Sequence, residues 1–217
     1  PGPDDGVARR LAALRRLLRR RDLDGLLVTG VHNVGYLTGF TGEDSAALFT
    51  ADEAFFLTDG RYTEQASRET RGLAILQRRR GLMELAGRTA ARLGLRRLGF
   101  EPDRLTVQQH TDLGRRARGV ELVPQRGVIE EMRQVKEAGE IRVILKAIRI
   151  AEEAFGSIRA AIRPGRTERE LAHMLDAAMV RLGADGAAFP TIVAAGERTS
   201  LPHARPTTRA IRSGDAV

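Results

Sequence analysis

Four histidines, His32, His110, His173 and His203, are the first candidates for proton chemistry. None lies at the i, i+4 or short-loop spacing from another that places two imidazoles on one metal ion. His110 and His173 fall in helix-patterned stretches among Gln, Arg and Ala and read as surface or edge residues. His32 stands beside Asn33 in a glycine-rich stretch and reads as a turn residue. His203 differs. It lies between Pro202 and Ala204, after Gly196-Glu197-Arg198-Thr199-Ser200 and before Pro206. Prolines on both sides restrict the backbone and hold a loop to few shapes. A neutral imidazole on such a loop can exchange a proton or hydrogen-bond an oxyanion. A loop histidine that bonds the backbone is the slightly favoured reading on the residues alone.

Other chemistries find less support. Ser45 and Ser200 lack the nucleophile-elbow surroundings of a catalytic serine. Gly30, Gly35, Gly39 and Gly42 form neither the dinucleotide fingerprint nor a P-loop with its Lys-Ser/Thr, so they are expected to serve tight turns. Cysteine is absent, which excludes disulfides and thiolate metal sites and fits a reducing, cytoplasmic compartment. No apolar run approaches the roughly 20 residues that a bilayer crossing needs, so no membrane role is expected. The formal net charge is +8, and only Lys136 and Lys146 among the 36 basic residues are not arginine. Arginine runs such as Arg19-Arg20-Arg21 and Arg78-Arg79-Arg80 come without Trp and with only 4% aromatic residues, so no base-stacking platform accompanies them. They read as solvated helix faces, and nucleic acid is not expected as a partner.

These residues need a frame. Val7, Leu11, Leu14 and Leu18 recur at helical spacing and predict a helix over 7–21. Leu26-Leu27-Val28 reads as a buried strand, and Gly30 to Gly42 as a loop. Residues 46–50 and 54–58 flank Ala51-Asp52-Glu53 as a hairpin. Alternating helices and short apolar runs follow to Val123. The pattern predicts an α/β fold with at least one antiparallel pair over residues 7–124. Residues 128–163 have almost no turn formers and read as one long helix ended by Pro164-Gly165. Thr167 to Glu170 fits a capping box that opens a helix closed by Gly183. Phe189 to Ala195 reads as a strand. Residues 128–217 then make a second, incomplete domain, whose apolar helix faces predict association or poor solubility for the isolated chain.

The order of these pieces resembles the Xaa-Pro peptidases, aminopeptidase P and prolidase, which share the pita-bread fold with creatinase. In the first part the resemblance rests on Leu26-Leu27-Val28, on Asn33-Val34-Gly35-Tyr36-Leu37-Thr38-Gly39-Phe40-Thr41-Gly42, and on Thr58-Asp59-Gly60-Arg61-Tyr62. In the second part it rests on Met132 to Lys136, Pro164 to Leu171, Phe189 to Val193 and Pro202-His203-Ala204. It implies a creatinase-like N-terminal α/β domain with a mixed sheet, followed by an incomplete α+β pita-bread catalytic domain. It further implies hydrolysis of the Xaa-Pro bond at peptide N-termini, in a homodimer acting on proline-containing peptides. Two divalent metal ions, manganese by expectation, would activate a bridging water in the complete protein. His203 matches a conserved active-site histidine that bonds substrate or the tetrahedral intermediate rather than metal.

In the family pattern the first metal Asp follows the Gly-Asp-x-Val motif. Asp215 is therefore expected to precede the ligands, and the 217 residues alone are expected to bind no metal and to be inactive. Asp59, Arg61 and Tyr62 are candidates, by resemblance, for a substrate or subunit edge that limits substrate length; a hairpin-end ion pair with a packed tyrosine is an equal reading. The alternatives are a creatinase-like hydrolase working without metal, and a non-catalytic binding module.

Overall fold

The computed structural model describes residues 3–217, with side chains from Gly6 onward, and divides into two compact units, Pro1–Lys136 and Glu137–Val217. In the first unit, helix α1 (Pro3–Arg20) buries Leu14 and Leu18 and leaves Arg16, Arg19 and Arg20 in solvent. It leads into the central strand β1 (Gly25–Val28), every residue of which is buried. Strands β2 (Ala46–Thr50) and β3 (Ala54–Thr58) form the expected hairpin, with Ala47 opposite Phe56 and Phe49 opposite Ala54. Strands β4 (Ala74–Gln77), β5 (Arg97–Phe100) and β6 (Glu121–Pro124) complete a six-stranded sheet of order β4-β3-β2-β1-β5-β6. Strand β2 runs antiparallel to both neighbours, and the other pairings are parallel.

Helices cover both faces of this sheet, which explains why its inner strands are continuous apolar runs rather than alternating ones. Leu26, Val28, Ala47, Phe49 and Phe56 point to one side, against α1, α2 (Val31–Thr38), α3 (Thr63–Glu69) and α6 (Val128–Gln134). Leu27, Leu48, Phe55, Leu57 and Leu98 point to the other, against α4 (Leu82–Arg92) and α5 (Val107–Arg116).

Three sequence expectations need correction. Residues 31–38 are helical rather than loop: Asn33, Val34, Leu37 and Thr38 turn one face into the core, and Gly39 at φ 81° ends the helix. Eight residues that include Gly, Asn, Thr and two Val have little intrinsic helicity, so tertiary packing decides. The stretch 128–163 is two helices. Val135 is extended, and α7 (Ala138–Ile158) starts afresh behind a Glu137–Glu140 capping box. Helix α6 accordingly lies in the first unit, where Val128 and Ile129 join the core. Residues 189–195 are not a strand; the segment pairs with no strand among the described residues.

The second unit packs α7 on α8 (Glu168–Arg181) through Ala154, Ile158 and Ala178. The Thr167–Glu170 capping box is formed in both directions, Glu170 N to Thr167 Oγ1 at 3.2 Å and Thr167 N to Glu170 Oε2 at 2.8 Å. On α7, Ile141, Ile144, Leu145, Ile148 and Phe155 are exposed although their spacing marks an apolar stripe. No helix among the described residues is long and apolar enough to cross a membrane.

Helices α4 and α5 approach each other closely at Gly87 of α4. A Cβ there would stand 2.5 Å from Leu113 O and 3.0 Å from Ala117 N, both backbone atoms that cannot step aside. Gly87→Ala should therefore destabilise the chain: overpacking costs about 1–3 kcal/mol, against a helix-propensity gain of about 1 kcal/mol. Urea denaturation followed by circular dichroism checks this, and a variant as stable as the parent would contradict the packing argument.

Candidate active site

The His203 loop is built by the second unit. A 3-10 turn, Gly196–Ser200, opens it, and the Ala204 N to Leu201 O bond of 3.2 Å closes a tight turn around Pro202 and His203. Ala204 is buried and His203 is exposed. The imidazole makes no hydrogen bond among the described residues, so the backbone-bonded reading of this histidine is not what the loop forms.

Backbone bonds anchor the loop's stems, Arg169 N to Thr207 O at 3.0 Å and Gly196 N to Ala216 O at 2.8 Å, and the side chain that ties both stems is Glu168, the first residue of α8, which is 0% exposed. Glu168 Oε1 accepts from Ala195 N at 2.9 Å and from Arg198 Nε at 3.0 Å. Glu168 Oε2 accepts from Thr207 N at 2.9 Å and from Thr207 Oγ1 at 2.7 Å. Arg198 Nη2 then donates to Arg205 O at 2.9 Å, inside the loop. Burial pushes the Glu168 carboxyl up, but the donors of Thr207, Ala195 and Arg198 outweigh it and hold it below the usual glutamate range.

A second clasp lies at the loop's base. Arg209 Nη1 donates to Asp215 Oδ2 at 2.7 Å, and its other nitrogens reach Glu197 at 3.2 and 3.3 Å. Asp215 also accepts from Arg212 N at 2.9 Å. The Arg209 side chain, then the Arg212 amide, keep the Asp215 carboxyl below the ordinary range. Asp215 is thus committed to Arg209. Among the described residues no three His, Asp or Glu are grouped so as to hold a metal ion. His32, His110 and His173 are exposed on α2, α5 and α8, His32 on a helix rather than a turn. Ser200 donates to Glu197 O at 2.9 Å, and Ser45 is buried at the start of β2.

Asp59, Arg61 and Tyr62 come together at the carboxyl ends of β3 and β4, in the first unit. Arg61 Nη2 reaches Asp44 Oδ2 at 2.5 Å and Asp59 Oδ2 at 2.7 Å, and Arg78 Nη2 bonds the same two oxygens at 2.7 Å each. Arg61, then Arg78, hold the Asp59 carboxyl well below the usual range. Tyr62 packs edge-on against Phe40 with ring centroids 5.8 Å apart. The geometry is that of an ion cluster with a packed ring. Asp44 and Arg78 escaped the sequence reading; Arg78 belongs to a run read as solvated helix face, yet its amide donates to Thr58 O at 2.7 Å and it sits beside the sheet.

A third polar cluster fills the crevice where β1 and β5 send their chains to opposite faces, the position at which α/β sheets bind ligands. Here Glu101 occupies it, accepting from Thr29 N at 2.6 Å, Gly30 N at 2.8 Å and Asn33 Nδ2 at 2.5 Å. Asn33 also donates to Glu130 at 2.8 Å and accepts from Arg133 at 2.9 Å. The protein's own carboxylate takes the two amides that lead into α2.

Carboxylates held below their ordinary range stabilise the fold at neutral pH, and that contribution is lost as pH falls through their folded values. Glu168, Asp215 and Asp59 all have this sign. The melting temperature should therefore be flat between about pH 6 and 8 and fall below about pH 4, the ordinary carboxylate range. A melting temperature unchanged down to about pH 3 would contradict the assignment.

Comparison with known proteins agrees with this architecture. The family model for the Creatinase/Prolidase N-terminal domain matches residues 10–135, and that for Metallopeptidase family M24 matches residues 142–217. A solved Xaa-Pro dipeptidase from Bacillus anthracis is 34% identical with a TM-score of 0.90, over 96% of this chain and 59% of its own. An X-Pro aminopeptidase from Thermotoga maritima is 30% identical with a TM-score of 0.84, over 94% and 58%. An uncharacterised peptidase of Bacillus subtilis is 38% identical over 208 residues, 96% of this chain and 59% of its own length. The chain thus spans about 59% of these relatives. It belongs to the creatinase/prolidase family, joining a creatinase-type N-terminal domain to residues of an M24 metallopeptidase domain.

Proposed function

We infer that the full gene product hydrolyses the Xaa-Pro bond at peptide N-termini, as a cytoplasmic homodimer that uses two divalent metal ions, manganese by preference. The observation that carries this reading is the run of family matches through both units in order, with solved relatives described as Xaa-Pro dipeptidase and X-Pro aminopeptidase. The residues present here do not fit a metal pair, since among the described residues no ligand group is assembled and Asp215 is bound by Arg209. The ions belong, on this reading, to residues of the gene product outside these 217.

His203 is the catalytic residue of this chain. An exposed imidazole, free of protein hydrogen bonds and carried on a tethered loop, donates to the scissile carbonyl oxygen and to the oxyanion it becomes. Asp59, Arg61 and Tyr62 take a lesser part, as a rim whose shape is held by the ion cluster and which limits peptide length. The mutual pairing of Arg61 and Arg78 with two carboxylates supports a rigid rim.

With added manganese, the full gene product should release proline from Xaa-Pro substrates, while the 217-residue chain should release none. Hydrolysis that persists after chelation would favour a creatinase-like reaction without metal, and no hydrolysis of any Xaa-Pro peptide would count against the reading altogether. His203→Ala should lower kcat about 10²–10³-fold, the scale of losing one oxyanion donor. In the 217-residue chain the same change should alter stability by less than about 0.5 kcal/mol, because the side chain is exposed and unbonded. Arg61→Ala should change the relative rates on dipeptides and longer peptides; an unchanged ratio would leave the cluster a purely structural role.

A further inference from the structure

Glu168 has a feature that a helix start does not require. The Thr167–Glu170 capping box already serves the N-terminus of α8, so Glu168 is not needed as a cap. Its fully buried carboxylate is spent instead on residues 27 to 39 positions away in sequence. Those partners lie on both sides of His203: Ala195 and Arg198 before it, Thr207 after it. Through Arg198 the tie extends to the carbonyl of Arg205, between the turn and Thr207.

Between the 3-10 turn that ends at Ser200 and Thr207, the loop has no helix or strand of its own. A side chain that bonds a developing charge must be held to about 0.5 Å, and here that restraint comes from outside the loop. Every protein partner of the Glu168 carboxylate is a donor: two backbone amides, one hydroxyl and one guanidinium nitrogen. Only an acceptor at both oxygens satisfies them. A glutamine of the same size would turn an NH2 group toward at least one donor and open one side of the tie.

We propose that Glu168 is the positioning residue of the active site: its carboxylate draws the two stems of the 195–207 loop together and so fixes where His203 stands. The proposal rests on the reading of His203 as the substrate-bonding residue, but the tether itself can be tested without it. It separates two roles for one motif. Thr167 and Glu170 build the helix end, and Glu168 between them reaches across to the loop.

The experiment has two arms. In the 217-residue chain, hydrogen exchange at the Ala195 and Thr207 amides is compared between the parent and Glu168→Gln. Exchange at least tenfold faster at those amides, with the α8 amides from Glu170 onward unchanged, is expected; equal exchange would overturn the tether whatever the protein's activity. In the full gene product, Glu168→Gln is expected to lower kcat at least tenfold on an Xaa-Pro dipeptide, with KM and metal content nearly unchanged. In a His203→Ala background the same change should have little further effect, because the loop then carries nothing to position. An equal loss of kcat in both backgrounds would overturn positioning through His203. Thr207→Val, which removes one hydroxyl donor and leaves the carboxylate, serves as the milder variant should Glu168→Gln fail to fold. It should show a smaller loss with the same dependence on His203, and an equal loss in both backgrounds would again overturn the proposal.

Discussion

A carboxylate taken out of water must find donors for its oxygens, and each of the two units solves that demand once at its centre. Leaving a buried partner unsatisfied costs about 1–3 kcal/mol, and more when it is charged. Glu168 meets the requirement with Ala195, Arg198 and Thr207, and in doing so draws segments distant in sequence to the start of α8. Glu101 meets it with Thr29, Gly30 and Asn33 and closes the crevice between β1 and β5. In both cases the bonds that stabilise the fold also decide what its surface offers: an exposed histidine in one unit, and a filled crevice in the other.

The arginines fall into place on the same argument. A guanidinium presents a fixed fork of donors, suited to binding carboxylates two at a time. Arg209 joins Glu197 to Asp215, Arg198 joins Glu168 to the loop backbone, and Arg61 with Arg78 joins Asp44 to Asp59. Ion pairs at the surface contribute little energy. Their value here is geometric, since each ties a turn or loop to a second segment of the chain. Many of the remaining guanidinium groups lie on exposed helix surfaces such as those of α1.

Much of the fold was legible because its signals are local. Leu14 and Leu18 announce an amphipathic helix, the two apolar runs around Ala51-Asp52-Glu53 announce a hairpin, and Thr167 with Glu170 announces a helix start. The failures share a cause. Helix α2 is too short for periodicity to show, and its residues are helical because they pack on the sheet. The break at Val135 contains neither Gly nor Pro, so nothing in the residue types interrupts the run. The apolar segment 189–195 has strand composition, but a strand exists only where another pairs with it.

Residue types and their order were enough to point to the α/β class and the family, and to single out His203 as a candidate. Those conclusions rest on motifs and periodicities that act within a few residues of one another. Tertiary structure alone showed that His203 is unbonded and exposed, that Asp215 is held by Arg209, and that Glu168 is the group tying the loop. The reason is distance along the chain: partners separated by dozens of residues leave no trace in local sequence, and a buried carboxylate is recognisable only once its donors have been brought to it.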